Sequence, residues 1–181
     1  MKKILLVILL SLVGGFIASC DEDTEVVVKE SPQTIALRDR FNDWMSRETF
    51  PTKNTDDLSD AHVLAICSDA KCEIEFTRDD AFDYWQESGK TESTGKGDRE
   101  DIAILAYCRL IGIGISPTSM DILIAESPEG ARAYVLLVRN KYYYLDEEDG
   151  DRFVIGYKFG RGYFTPLDEY ETFEGYEYGG V

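Results

Sequence analysis

A single histidine, His62, serves all 181 residues. Cysteine is sparse too, with Cys20, Cys67, Cys72 and Cys108, and only Cys67 and Cys72 are close in sequence. That supply argues against a metal centre, because a structural zinc site draws four ligands from cysteine and histidine. Positive charge is short: 19 Lys and Arg stand against 35 Asp and Glu, a net charge of −16. A surface this acidic argues against nucleic acid and anionic lipid head groups as partners. With 35 acids, carboxylate pairs occur everywhere and single out no glycosidase site. No internal repeat is seen. Gly95-Lys96-Gly97 has no Ser or Thr after the lysine and no glycine five residues before Gly95, so it is not a phosphate loop. Nothing calls for a cofactor.

What is present starts at the N-terminus. Met1-Lys2-Lys3 is basic, residues 4–17 are almost wholly apolar, and the run closes at Ile17-Ala18-Ser19-Cys20. This order marks a secretory signal. The apolar run is shorter than the roughly 20 residues of a spanning helix. The Ile-Ala-Ser-Cys end resembles the lipobox of bacterial lipoproteins, which implies cleavage before Cys20 and acylation of Cys20. Residues 1–19 are then the signal, and 20–31 an acidic, lipidated tether. The implied partner is a membrane, reached through the lipid. The implied location is the bacterial cell envelope, facing outward or into the periplasm. Asp21, by analogy with enteric lipoproteins, favours the inner membrane. Loss of Lys2 and Lys3 with the signal moves the net charge from −16 to −18. The remaining 162 residues suffice for one domain with one core.

Ser31-Pro32 starts a helix, with proline tolerated in its first turn. Leu37, Phe41, Trp44, Met45 and Glu48 share a face of it. Residues 49–60 read as a loop. Residues 62–67 and 72–77 read as hairpin strands, which would set Cys67 across from Cys72 within disulfide reach. Export permits that oxidation. Thr77-Arg78-Asp79-Asp80 reads as a capping box before a short helix through Trp85. Residues 86–97 read as a loop. A strong helix follows from Asp98 to Ile111, closed by Gly112. Strands are expected at 120–125, 131–138, 142–146 and 152–159, with Asn140-Lys141 as a tight turn, and a final extension at 160–165. Tyr142, Tyr143, Tyr144, Tyr157, Phe159, Tyr163 and Phe164 enrich these strands in aromatics, and alternation sends half of them to the core. Helices first and an antiparallel meander after make an α+β domain over residues 32–167, with an acidic, aromatic tail at 168–181.

The segment that carries a resemblance is Gly97-Asp98-Arg99-Glu100-Asp101-Ile102-Ala103, opening the best helix after Trp85-Gln86. About 30 residues on come Ala133-Tyr134-Val135-Leu136-Leu137-Val138 and then Tyr144-Leu145-Asp146. This succession resembles the bacterial transglutaminase-like cysteine peptidases, which have a papain-like core. The likeness spans about residues 80–150. That family's pattern places cysteine after Gly-Asp at a helix start, histidine on a strand, and Asp on the next strand. A thiolate is favoured at a helix N-terminus, histidine takes its proton, and the carboxylate orients the histidine.

Here the nucleophile position is Arg99. The histidine position is Ala133, or Arg132 if the register slips by one, and only Asp146 fits the third. A guanidinium stays protonated and cannot attack a carbonyl. Loss of a triad nucleophile costs on the order of a millionfold in turnover. Cys108, nine residues after Arg99 in the same helix, falls on the opposite face roughly 13 Å along the axis. Asp98, Glu100 and Asp101 also suit a helix start for capping alone.

The expectation is a lipoprotein whose domain no longer catalyses. Trp85, Asp98, Arg99, Asp101, Tyr134 and Asp146 would form a cleft for a peptide or protein partner. Two alternatives stay open. One is an active enzyme of this class using a nonstandard site. The other is an interaction or exclusion lipoprotein whose surface, not cleft, matters.

Overall fold

Ser31 caps the first helix, α1 (Pro32–Arg47), by accepting from the Thr34 N–H at 3.0 Å, and Pro32 takes the first turn where no N–H is missed. Leu37, Phe41 and Trp44 recur at helical spacing and are fully or almost fully buried. The computed structural model describes residues 30–51, 59–79, 84–126, 132–145 and 154–172. Residues 31–181 form one compact unit, separate from residues 1–30. The signal, Cys20 and the tether up to residue 29 lie outside the described residues.

Residues 60–73 correct the sequence reading. They form a helix, α2 (Asp60–Glu73), not a hairpin strand and loop. Val63, Cys67, Ala70 and Ile74 are its buried stripe, with helical spacing rather than the alternation of a strand. Five residues apart on a helix means about 140° apart. Cys67 therefore faces the core while Cys72 is exposed, and both are free thiols. The expected Cys67–Cys72 disulfide is absent because the turn that would have paired them does not exist.

After α2 the chain makes a two-residue strand, β1 (Glu75–Phe76), which pairs in parallel with β2 (Lys96–Gly97). Between them, residues expected to be loop form α3 (Ser88–Thr94), ended by Gly95 at φ 65°. Ser, Gly and Thr dominate this helix, so propensity does not explain it. Glu48 does: its carboxylate accepts from the Ser88 N–H and the Ser88 hydroxyl, both at 2.8 Å. No helix is found at 77–79 or 84–87, and residues 80–83 of the expected short helix lie outside the described residues.

The central helix, α4 (Arg99–Ile113), is apolar nearly all round, as a buried helix must be. It passes Gly112 and ends at Gly114, whose φ of 112° suits only glycine. It packs on α2 and α3 on one side and on the sheet on the other. The sheet is antiparallel, in the order β5-β4-β3-β6-β7. Its strands are β3 (Met120–Glu126), β4 (Arg132–Val138), β5 (Lys141–Tyr144), β6 (Val154–Gly160) and β7 (Tyr163–Thr172). The β4–β5 turn is Arg139-Asn140, both at positive φ, one residue earlier than Asn140-Lys141. Edge strand β7 carries Pro166, where no inward ladder bond is lost, and runs five residues beyond the expected domain end at 167.

Alternation splits the sheet. Ile122, Ile124, Tyr134, Leu136, Val138 and Phe159 join α1, α2 and α4 in the main core. Leu123, Ala125, Ala133, Val135 and Ile155 form a smaller cluster on the other face.

Candidate functional site

The start of α4 is built by reciprocal capping. The Asp98 side chain accepts from the Asp101 N–H, and Asp101 Oδ2 accepts from the Asp98 N–H at 3.3 Å. Asp101 is wholly buried, and also accepts from the Gln86 N–H at 2.7 Å and from Gln86 Nε2 at 2.6 Å. Burial raises its pKa above the ordinary carboxylate value, against the lowering effect of these donors. Gly97 lets β2 approach, since a Cβ there would lie 2.8 Å from Asp101 Cβ.

Asp101 thus fixes the strap of residues 84–87 across the helix start. From the other side Arg47 of α1 holds the same strap. Its Nη1 donates to Glu87 at 2.6 Å and its Nη2 to the Trp85 carbonyl at 2.9 Å. Trp85 is buried, stacked on Phe159 with centroids 4.8 Å apart and edge-on to Tyr134 at 6.2 Å. Its indole N–H has no hydrogen-bond partner among the described residues.

Above this frame lies a cleft of two adjoining hollows. The larger, about 240 Å³, is bounded by Lys71 and Ile74 at the end of α2, Phe76 of β1, Arg99 and Ile102 of α4, Tyr134 of β4, and Leu145. The smaller, about 150 Å³, shares Phe76, Arg99 and Tyr134 and adds Arg78, Asp98, Glu100 and Arg132. Arg99 Nη1 donates to the Arg132 carbonyl at 2.9 Å, tying the first residue of α4 to the first residue of β4. Arg132 in turn donates through Nε to its cross-strand neighbour Glu126 at 2.9 Å.

Asp98, Arg99 and Tyr134 line this cleft, whereas Trp85 and Asp101 are buried and line neither hollow. Ala133 faces the other side of the sheet, among Leu123, Ala125 and Val135. The strand residues that share the Arg99 side are Arg132 and Tyr134. Asp146 lies outside the described residues, and Leu145 before it borders the larger hollow. Sequence reasoning did not place Lys71, Ile74, Phe76, Arg78 or Glu100 at the cleft. A helical reading of residues 63–74 would have brought in the first two. Nothing local announces the parallel pairing that brings in Phe76.

The thiols sit elsewhere. Cys67 is buried, and burial pushes its pKa up to about 12. Cys108 is buried in α4, and its pKa is raised further, chiefly by burial. Such thiols stay protonated and are poor nucleophiles. Cys72 is exposed on α2 and borders neither hollow. His62 is exposed in the first turn of α2, with Nδ1 3.0 Å from the Ser59 hydroxyl. It precedes Lys71 by nine residues, roughly 13 Å along the helix axis. Among the described residues no group of three or more His, Cys, Asp or Glu could hold a metal ion.

Solved structures of LapG from Legionella pneumophila resemble this chain. The calcium-bound form superposes with a TM-score of 0.53 at 19% identity, covering 77% of this chain and 87% of LapG. The EGTA-treated form gives 0.54 at 19% identity, covering 77% and 81%. The fold is a transglutaminase-like, papain-like core. No protein-family profile matches the sequence, and no curated protein matches it. In this transglutaminase-like core, the helix at whose start the family resemblance places the nucleophile is α4, and the residue there is Arg99.

Proposed function

We propose that the chain is a lipid-anchored protein of the bacterial cell envelope, and that its transglutaminase-like domain binds a peptide or protein segment without cleaving it. The observation that carries this reading is Arg99. It is the first residue of α4, where the sequence resemblance expects the nucleophile, and its guanidinium, bonded to the β4 backbone, carries a permanent charge that cannot attack a carbonyl. Beside it the larger hollow offers apolar walls at Ile74, Ile102 and Leu145 and two aromatic rings at Phe76 and Tyr134, a lining that suits a peptide side chain. The anchor rests on the basic start, apolar run and Ile-Ala-Ser-Cys of residues 1–20.

The chemistry is tested by iodoacetamide labelling across pH, read by mass spectrometry. Cys72 should label in the folded chain, and Cys67 and Cys108 only after unfolding. Strong labelling of a single cysteine well below neutral pH would mean an activated thiolate, and the domain would then be an enzyme.

A further inference from the structure

The sheet has a second apolar face, on the side away from α1, α2 and α4. Leu123, Ala125, Ala133, Val135 and Ile155 cluster there, each at most 3% exposed. Among the described residues, the hydrophobic side chains packed against this cluster are Leu137 and Leu167, and both belong to the sheet itself. An apolar sheet face is buried only under another layer. The need is sharpest at Ala125 and Ala133, which are cross-strand partners beside the bulkier pair Leu123 and Val135. The two methyl groups stand low and leave a shallow groove, yet both residues are 0% exposed. A covering layer is therefore required.

We propose that residues 173–181 supply it, folding back from the end of β7 so that an aromatic ring fills the groove over Ala125 and Ala133. Position and reach favour this segment. Glu171, Ile155, Ala125 and Ala133 stand in one row across four strands, and β7 ends one residue later at Thr172. The chain thus leaves the sheet level with the groove, about 14 Å from Ala133 at three strand spacings. Nine residues remain, and extended they reach about 30 Å. Composition favours it too, through Phe173, Tyr176 and Tyr178. Within the unit of residues 31–181, the other segments outside the described residues hold at most one large apolar side chain each. These are Leu58 in 52–58, Phe82 in 80–83 and Phe153 in 146–153, with none in 127–131. Tyrosine suits a cover with one wet side, because its ring packs while its hydroxyl stays in water.

The test replaces Tyr176 with the photo-crosslinker p-benzoylphenylalanine in the full chain in detergent and maps the products by mass spectrometry. Links within one chain to residues 123–125, 133–135 or 155 are the expected result. Links between two chains would seat a second copy on the face, and links elsewhere or none would leave the tail off it; each overturns the proposal. A second measurement follows iodoacetamide labelling of Ala133→Cys in the whole chain and in a chain ending at Thr172. The introduced thiol should label about tenfold faster in the shortened chain, equivalent to 1.4 kcal/mol of cover. Cys67 and Cys108 report the fold, because they stay unlabelled while the main core is intact. Should the shortened chain unfold, they label as well, and the crosslinks decide. Equal protection in both chains would mean that another layer covers the face, and equally fast labelling that nothing does; either result overturns the proposal.

Discussion

Asp101 shows how much a single carboxylate can organise. It closes the capping box, and it holds the strap of residues 84–87 through two bonds from Gln86. Burial nevertheless dominates its titration and raises its pKa. The folded chain then binds this proton more tightly than the unfolded chain does. Its contribution to stability is complete below the ordinary carboxylate value near 4 and is lost as pH climbs through the raised value. Asp101→Asn should remove that component, so the variant loses less stability than the parent between acid pH and neutrality. Urea denaturation at a series of pH values checks this, and parallel curves for the two proteins would contradict it. Arg99 is the complementary case. Its bond to the Arg132 carbonyl makes it a structural link as well as a cleft residue.

The helix start depends on close approach between elements. A Cβ on Gly97 would lie 2.8 Å from Asp101 Cβ, a contact that neither β2 nor the first turn of α4 can relieve without moving. Gly97→Ala should cost about 1–3 kcal/mol, as overpacking does, and Asp98→Ala about 1 kcal/mol as a lost cap. Denaturant midpoints measure both, and a Gly97→Ala variant as stable as the parent would refute the close packing. Elements that could be read from sequence are those whose stabilising signal is local. Ser31-Pro32 with Leu37, Phe41 and Trp44 announced α1, and the apolar run of residues 131–138 announced β4. The helix α2 was misread because its apolar residues around Cys67 also fit short strands, and the error brought a disulfide with it. The helix α3 could not be read at all, since the group that caps it, Glu48, lies 40 residues away. The cleft was half legible for the same reason. Asp98, Arg99 and Tyr134 sit in local motifs, while Lys71 and Phe76 arrive through tertiary pairing.

At the scale of the whole molecule, the proposed function joins a candidate export and lipid site at residues 1–20 to an acidic domain. Acylation at Cys20 should put the chain in the membrane pellet and let it take up a clickable palmitate analogue. Cys20→Ser should abolish both, and a Cys20→Ser chain that still labels would contradict the anchor. The central claim concerns chemistry at the start of α4, where Arg99 stands. Incubating the full chain with a diverse peptide library and reading products by mass spectrometry tests it most directly. No cleaved or transferred product above the buffer control is the expected result. Products that form catalytically and vanish when thiols are blocked would show that the scaffold still works as an enzyme.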